Sequence, residues 1–337
     1  MASAPLAPLA LTMGDPAGCG PQITAKAWRA FVSEGQNPFV CISDPSIFDG
    51  LCPIESIDDI DTAASVFPTA LPVLPLSNAL PSKPIPGMPT ADFAPAILES
   101  IETTAKLALT GKAAGVVTNP IAKSVLYSAG FSHPGHTEFI AEICRGETGV
   151  PGRPVMMLTG GGLKVALATI HQPLKNVPDA LSIEGLVEIG ATVAAAMRND
   201  FGISAPRLAF CGLNPHAGED GTIGDEEVRI INPAATALRA QGISIPNARP
   251  ADTVFHEALS GDYDAVIAMT HDQGLIPVKT LDFWGGVNTT LGLTIVRTSP
   301  DHGTAYDAAA KGNCRADSLI AALKLAGEMA RHRKQAL

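Results

Sequence analysis

Short apolar, β-branched runs alternate with stretches of helical periodicity along most of the chain, which predicts βαβ units around a largely parallel sheet. Residues 9–13 (LALTM) predict a first strand, followed by the loop GDPAGCGP and a helix over ITAKAWRAFV; PFVCISD (38–44) predicts a second strand. From Asp49 to Phe93 the chain is Pro-rich and weakly periodic, which predicts short strands on long connections. A helix follows from Pro95, with Ile97, Leu98, Ile101, Ala105 and Ala108 on one face and Gly111 as its stop, and then AGVVT (114–118) as a strand. Three later runs, LKVALATIH (163–171), PRLAFCGLNPH (206–216) and DAVIAMTH (264–271), are strand candidates that each end in a histidine. Helices fit between them, one with Leu186, Ile189, Val193 and Met197 on a face before Gly202, one from Glu226 to Gln241 before Gly242, and a last one runs from Ser318.

At 337 residues the chain exceeds the ~250–300 at which one hydrophobic core stops growing. The expected architecture is therefore α/β with two α/β/α lobes and a central cleft. The first lobe is expected over residues 1–131 and 303–337, the second over 132–302. Hydrophobic residues make up 46% and charged residues 17%, which excludes disorder as the main state. A formal charge of −10 without a basic run argues against nucleic acid as a partner, yet a local cluster of cations and helix N-termini still holds a small anion. The six cysteines form no CxxC pair and fit free thiols in a reducing compartment. MASAPLAPLALTMGD has no positive n-region, and no run of 18 apolar residues occurs; the expectation is a cytoplasmic protein without a membrane partner.

Open parallel sheets bind ligands outside the carboxyl ends of their strands, where His171, His216 and His271 are all expected. Three neutral imidazoles suit Zn, Co, Ni or Fe and leave positions open for a substrate. The competing reading is three hydrogen-bonded structural histidines, because spacings of 45 and 55 residues form no local metal motif. Lys279, Asn288 and Arg297 are donors among apolar residues, which calls for an anionic partner or for salt bridges. SHPGHTEF (132–139) sets His133, His136 and Thr137 just before a helix whose amides suit an anion, unless Thr137 is simply an N-cap. GDPAGCG (14–20) lies between a strand and a helix like a dinucleotide loop, but its glycine order is not GxGxxG and no GK[ST] follows. A tight strand-to-helix turn is the alternative.

GDPAGCGP, PGHTEF, MML, ATIHQPLKNVP, GLNPHAGEDGTIGDEE, HDQGL, VNTTLGL and RTSPDHGTA, in this order over residues 9–325, resemble the 4-hydroxythreonine-4-phosphate dehydrogenase family of pyridoxal 5′-phosphate biosynthesis. The resemblance implies a fold similar to the isocitrate and isopropylmalate dehydrogenases. It implies NAD-dependent (or NADP-dependent) oxidation of 4-phosphooxy-L-threonine to a β-keto acid, which loses CO2 to give 3-amino-2-oxopropyl phosphate. One divalent metal per subunit (Zn, Mg or Co), bound by His171, His216 and His271 at the interface of a homodimer, is implied to polarise the oxidised hydroxyl. His136, Thr137, Lys279, Asn288 and Arg297 match the family's substrate-binding positions, and Lys279 is the candidate for proton transfer. His302, Gly303, Ala305 and Asp307 of the DHGTAYDAA loop are the cofactor candidates by likeness to the wider superfamily, which sets the cofactor site apart from GDPAGCG.

Thr270 stands where the family usually has Tyr, and Gln22 where it has an acid. These departures leave room for a paralogue acting on a related phosphorylated hydroxy acid such as D-threonate 4-phosphate. A metal-dependent hydrolase and a phosphometabolite-binding protein are the rivals from other classes.

Overall fold

β1 (Leu9–Thr12) and β2 (Phe39–Ser43) are buried along their whole lengths, as expected of strands covered by helices on both faces. The computed structural model describes residues 6–128, 130–131, 135–148 and 153–336, apart from the side chains of Ser128, Glu147 and Thr148. The Pro-rich segment holds two short strands, β3 (Ile54–Ser56) and β4 (Leu71–Pro75), and β5 (Val116–Val117) follows. All pair in parallel in the order β3-β4-β2-β1-β5. The helices of this stretch are α1 (Gly20–Glu34), α2 (Ala63–Val66), α3 (Ala94–Leu109), α4 (Lys123–Ser128) and α5 (His136–Thr148). In α3, Ile97, Ile101 and Ala105 are buried as the periodicity requires, and so are Ser100 and Thr104. The Ser100 hydroxyl accepts the Met13 N–H (2.9 Å) and donates to the Ile42 carbonyl (2.6 Å), which ties the ends of β1 and β2 to the helix.

The next stretch opens with a hairpin that the strand pattern did not separate: β6 (Val155–Gly160) and β7 (Leu163–Leu167), antiparallel. Its two-residue turn, Gly161-Gly162, has φ of +58° and +89°, the left-handed pair that tight hairpins demand. Then come α6 (Val177–Ala180), α7 (Ile183–Asn199), β8 (Leu208–Phe210), α8 (Asn232–Ala240), α9 (Val254–Leu259), β9 (Ala265–Ala268), α10 (His271–Leu281) and β10 (Val287–Leu291). Strand order here is β10-β6-β7-β9-β8, with β7, β9 and β8 parallel. Alternate residues feed two cores: Ala166 and Ile267 meet Leu186, Ile189, Val193 and Met197 on one face, while Val165, Leu167 and Val266 meet Val254, Leu275 and Val278 on the other. The run Glu226–Gln241 is helical in two pieces, a single π-type turn over Glu227–Ile231 and then α8.

The chain closes with β11 (Arg297–Pro300), parallel to β5, then α11 (Tyr306–Lys311) and α12 (Asp317–Ala336). Contacts divide it into two compact units, one of residues 1–152 and 293–334, the other of 153–292 with 335–337. The crossings lie after 152 and before 293, where the sequence pattern put them near 131 and 302. Two elements account for the difference: α5 packs on α3, and β11 pairs with β5, so both stay with the first unit. Among the described residues no single helix is long and apolar enough to cross a membrane.

Candidate active site

In the second unit, β7, β9 and β8 are adjacent and parallel, so their carboxyl ends share one edge. The three histidines lie beyond the strand ends, in the loops: His171 follows β7, His216 follows β8, and His271 is the first residue of α10. Side chains stitch these loops together. The Thr169 hydroxyl donates to the Met269 carbonyl (2.6 Å). Gln273 Oε1 accepts the N–H groups of Met269 and Thr270 (3.1 Å each), and Gln273 Nε2 donates to the Gly212 carbonyl (2.9 Å). Thr270 caps α10: its hydroxyl accepts the Gln273 N–H and completes a capping box. Gly274 lets α10 lie directly on the sheet, because a Cβ there would stand 2.6 Å from Leu167 Cδ2 and 3.1 Å from Val165 Cγ1.

The result brings the His171 and His271 rings to 5.6 Å between centroids, tilted by 48°, on the wall of a cavity of about 570 Å³ that Thr169, Thr270 and Leu174 also line. His216 is placed differently. It opens a turn in which His216, Ala217, Glu219 and Asp220 all have φ between +40° and +56°, a conformation costing on the order of 1 kcal/mol per non-glycine residue. Glu227, 1% exposed, holds this turn by accepting the Asn214 N–H (2.8 Å) and side-chain amide (2.9 Å). His216 itself is mostly exposed, and its Nδ1 lies 2.6 Å from Glu219 Oε1. That hydrogen bond, together with the carboxylate charge, holds the imidazole above its ordinary pKa. His271 Nδ1 lies 2.8 Å from Asp272 Oδ1.

Among the described residues no three His, Cys, Asp or Glu side chains converge as a metal requires. The donor type fits a divalent ion; the rings of His171 and His271 are paired, and His216 is not among the residues that line their cavity. Lys279 lies eight residues along α10 from His271, about 12 Å of helix rise, with its Nζ 5.7 Å from the centroid of the Phe283 ring. Asn288 is on β10, in register with Leu158 of β6.

The first unit gathers the remaining substrate candidates. His136 and Thr137 start α5, and Arg297 starts β11 beside Val116. Arg297 is 3% exposed, and its guanidinium donates from Nη2 to the Thr118 hydroxyl (2.8 Å); burial lowers its pKa to about 10. Burial, then the charges of Arg297 and Lys123, lower the His136 pKa to about 3, so its ring is neutral. His136 Nε2 is buried and has no hydrogen-bond partner among the described residues. Lys123 and Glu138 close around Gly135, where a Cβ would meet Lys123 Nζ at 3.3 Å and Glu138 Oε2 at 3.2 Å. Sequence reading met both within the segments TNPIAK (118–123) and SHPGHTEF (132–139) but gave neither a site role; the signal for Lys123 was its place six residues past β5 at the carboxyl edge of the sheet. His133 lies outside the described residues.

The cofactor candidates occupy the turn from β11 into α11. His302, Gly303, Ala305 and Asp307 are all exposed, and Ala305 has φ +46°. This turn interlocks with the GDPAGCG loop: Cys19 N–H donates to the Thr304 carbonyl (2.8 Å) and the Tyr306 hydroxyl donates to Asp15 Oδ2 (2.6 Å). Burial raises the Asp15 pKa against that bond. The two loops, treated separately from sequence, form one surface.

The family model described as pyridoxal phosphate biosynthetic protein PdxA matches residues 35–326. The chain belongs to the PdxA family. A Caulobacter vibrioides PdxA relative, 4-hydroxythreonine-4-phosphate dehydrogenase, is 51% identical over 330 residues, 97% of this chain and 98% of its own. The crystal structure of the Klebsiella pneumoniae 4-hydroxythreonine-4-phosphate dehydrogenase superposes with a TM-score of 0.84 at 36% identity, covering 96% of this chain and 99% of that one. A terephthalate 1,2-cis-dihydrodiol dehydrogenase from Burkholderia xenovorans is more distant, with a TM-score of 0.66 at 25% identity over 96% and 98%. The PdxA-type α/β fold thus also carries a dehydrogenase named for another substrate.

Proposed function

We propose that the protein oxidises 4-phosphooxy-L-threonine at C3 with NAD and releases CO2 and 3-amino-2-oxopropyl phosphate. The observation that carries this reading is the His171–His271 pair at the carboxyl edge of β7 and β9, in a chain half identical to dehydrogenases named for that substrate. A divalent metal (Zn, Mg or Co) supplies Lewis acidity toward the substrate oxygen when bound, and a nicotinamide dinucleotide supplies the hydride acceptor.

The residues of the chain bind, orient and move protons. Arg297, with neutral His136, Thr137 and Lys123, takes an anionic group of the substrate, because a buried guanidinium beside an open ring nitrogen favours a charge-assisted partner. Asn288 orients the substrate through its amide. Lys279 accepts the C3 hydroxyl proton as the C3 hydride departs. The C1–C2 bond then breaks to release CO2, its electron pair forms a C2=C3 bond as the C3=O pair moves onto oxygen, and a proton added at C2 as the C3 carbonyl reforms completes the product. His171 and His271 would hold the metal from one chain, and the remaining imidazole, from a second copy in a homodimer, would complete the ligand set. His302, Gly303, Ala305 and Asp307 would hold the dinucleotide. The six free cysteines are in keeping with a cytoplasmic setting.

D-Threonate 4-phosphate is the second reading, favoured by Thr270, whose short side chain lines the histidine cavity where the family usually has Tyr. The deciding experiment supplies each substrate with NAD and follows absorbance at 340 nm together with CO2 release. NADH and CO2 in equal amounts from 4-phosphooxy-L-threonine support the first reading. NADH from D-threonate 4-phosphate alone supports the second, and phosphate release without NADH refutes both.

A further inference from the structure

Three separate segments of the first unit meet around a small cavity that no step of the reaction above uses. The GDPAGCG loop with the first turn of α1 forms one side, the turn after β2 another, and the Pro-rich segment over residues 83–86 the third; the cavity measures about 140 Å³. The segments are closely fitted. A Cβ on Gly87, whose φ is +89°, would stand 2.8 Å from Ala310 Cβ, and the Gly87 N–H donates to the Ala17 carbonyl (2.8 Å). A Cβ on Gly18 would stand 3.0 Å from the Thr304 carbonyl oxygen, so the cavity adjoins the turn that carries the cofactor candidates. Pro16, Pro21, Ile47, Leu51, Pro84 and Pro86 give it apolar walls, and the prolines hold theirs at a fixed φ. Among its polar side chains, Ser46 bonds to Asp44 (2.7 Å) and Lys83 pairs with Asp49 (3.2 Å). Gln22 is only half satisfied. Its Nε2 donates to the Ala309 carbonyl of α11 (2.7 Å), which fixes the amide, while Oε1 is buried and accepts no hydrogen bond among the described residues. A buried acceptor without a donor is costly, and a ligand that donates removes the cost.

We propose that this cavity receives the adenine ring of the dinucleotide, with Gln22 Oε1 accepting from the exocyclic 6-amino group. The proposal rests on the dinucleotide reading above and adds a place for the end of the cofactor that does not react. A narrow apolar slot with one directional polar group orients an aromatic ring. The open group is an acceptor, which selects a base bearing an amino donor. Strand order decides which end of the cofactor lies here. The cavity is beyond the end of β2, whereas Arg297 starts β11, and β2 stands three strands from β11, roughly 14 Å at about 4.8 Å per strand. Hydride transfer needs reacting atoms about 3–3.5 Å apart, so a ring held at β2 is the one remote from a substrate anchored at Arg297.

The test uses the full chain and compares AMP with purine riboside 5′-monophosphate, which lacks only the 6-amino group, by isothermal titration calorimetry, with NAD alongside. AMP is expected to bind about tenfold more tightly than the purine analogue, as loss of a hydrogen bond to a buried acceptor requires. Gln22→Met keeps the length of the side chain without its acceptor and should bring the two ligands within about twofold of each other. A merely structural role for Gln22 would weaken both and keep their ratio. Hydrogen exchange read by mass spectrometry places the ring: AMP and NAD should both slow exchange over residues 46–51, where the Asp49 and Leu51 N–H groups close the turn after β2. Equal binding of the two nucleotides by the wild type, a preference for AMP that survives in Gln22→Met, or NAD binding without protection at 46–51 overturns the proposal and leaves the dinucleotide reading standing. AMP bound with the expected preference by a chain that forms no NADH from either candidate substrate upholds the adenine slot and sinks the dinucleotide reading. Absence of binding by both AMP and NAD sinks the two together.

Discussion

Glu227→Ala and Glu227→Gln probe how the second unit presents His216. The turn over residues 216–220 holds four non-glycine residues in the left-handed region, at about 1 kcal/mol each and so roughly 4 kcal/mol together. Opposing this, the buried Glu227 carboxylate accepts two hydrogen bonds from Asn214. Bonds to a charged acceptor contribute about 1.5–3 kcal/mol each, or roughly 3–6 kcal/mol for the pair. The two quantities nearly balance, so removing the carboxylate should release the turn locally before it unfolds the unit. In Glu227→Ala the amides of Ala217, Thr222 and Ile223, which are bonded within the turn, should exchange with deuterium about 10²- to 10³-fold faster, the equivalent of roughly 3–4 kcal/mol. Glu227→Gln keeps one acceptor but points an amide donor at a donor, and should lose about 2 kcal/mol, or roughly 30-fold. Hydrogen exchange read by mass spectrometry over residues 214–223 is the assay. Protection in Glu227→Ala within threefold of wild type would refute the argument that this carboxylate holds the turn.

Further perturbations test other parts of the account. Gly274→Ala gains about 1 kcal/mol of helix propensity but places a Cβ 2.6 Å from Leu167 Cδ2, an overpacking cost of about 1–3 kcal/mol. It should lower the urea midpoint and weaken Co²⁺ binding by shifting α10; a midpoint above wild type contradicts the close approach. Burial and the nearby charges of Arg297 and Lys123 lower the His136 pKa to about 3 in the folded chain, against an ordinary imidazole value of about 6.5. Between those values the unfolded state binds the extra proton, so stability falls as pH falls, by up to about 1.4 kcal/mol per unit from this group. His136→Asn should flatten that slope in denaturant titrations between pH 3 and 6.5, and an unaltered slope would place the ring elsewhere. Lys123→Met should raise KM for the phosphorylated substrate about tenfold with little change in kcat, as loss of a ground-state charge contact does. Tyr306→Phe removes the 2.6 Å bond to Asp15 and should raise KM for NAD while sparing KM for the substrate.

Local patterns in the sequence carried much of the fold. The face of α7 and the burial of β1 and β2 follow from spacing alone, since a helix or strand shows its period within a dozen residues. The edge that gathers the histidine loops was also legible, because apolar runs ending in His171, His216 and His271 imply strand ends. Contacts made across long stretches of chain were not. Arg297 meets Thr118 across 179 residues and Tyr306 meets Asp15 across 291, and no local pattern announces either. Glu227 is one of two adjacent acids at the start of the helix expected from Glu226, and only the folded turn makes it a buried acceptor. The left-handed turn that presents His216 has no local signature in the sequence either, since four of its residues are not glycine.

The central claim is that the imidazoles of the β7, β8 and β9 loops hold a divalent metal needed for dehydrogenation. Its most direct test is NADH formation from 4-phosphooxy-L-threonine by chelator-treated enzyme on re-addition of Zn²⁺, Co²⁺ or Mg²⁺, in the wild type and in His171→Ala, His216→Ala and His271→Ala. The account predicts that wild-type activity is lost to the chelator and restored by metal, and that each variant stays folded and inactive at any metal concentration tried. Full activity in the chelated wild type, or metal-restored activity in His216→Ala with unchanged metal content, would contradict it.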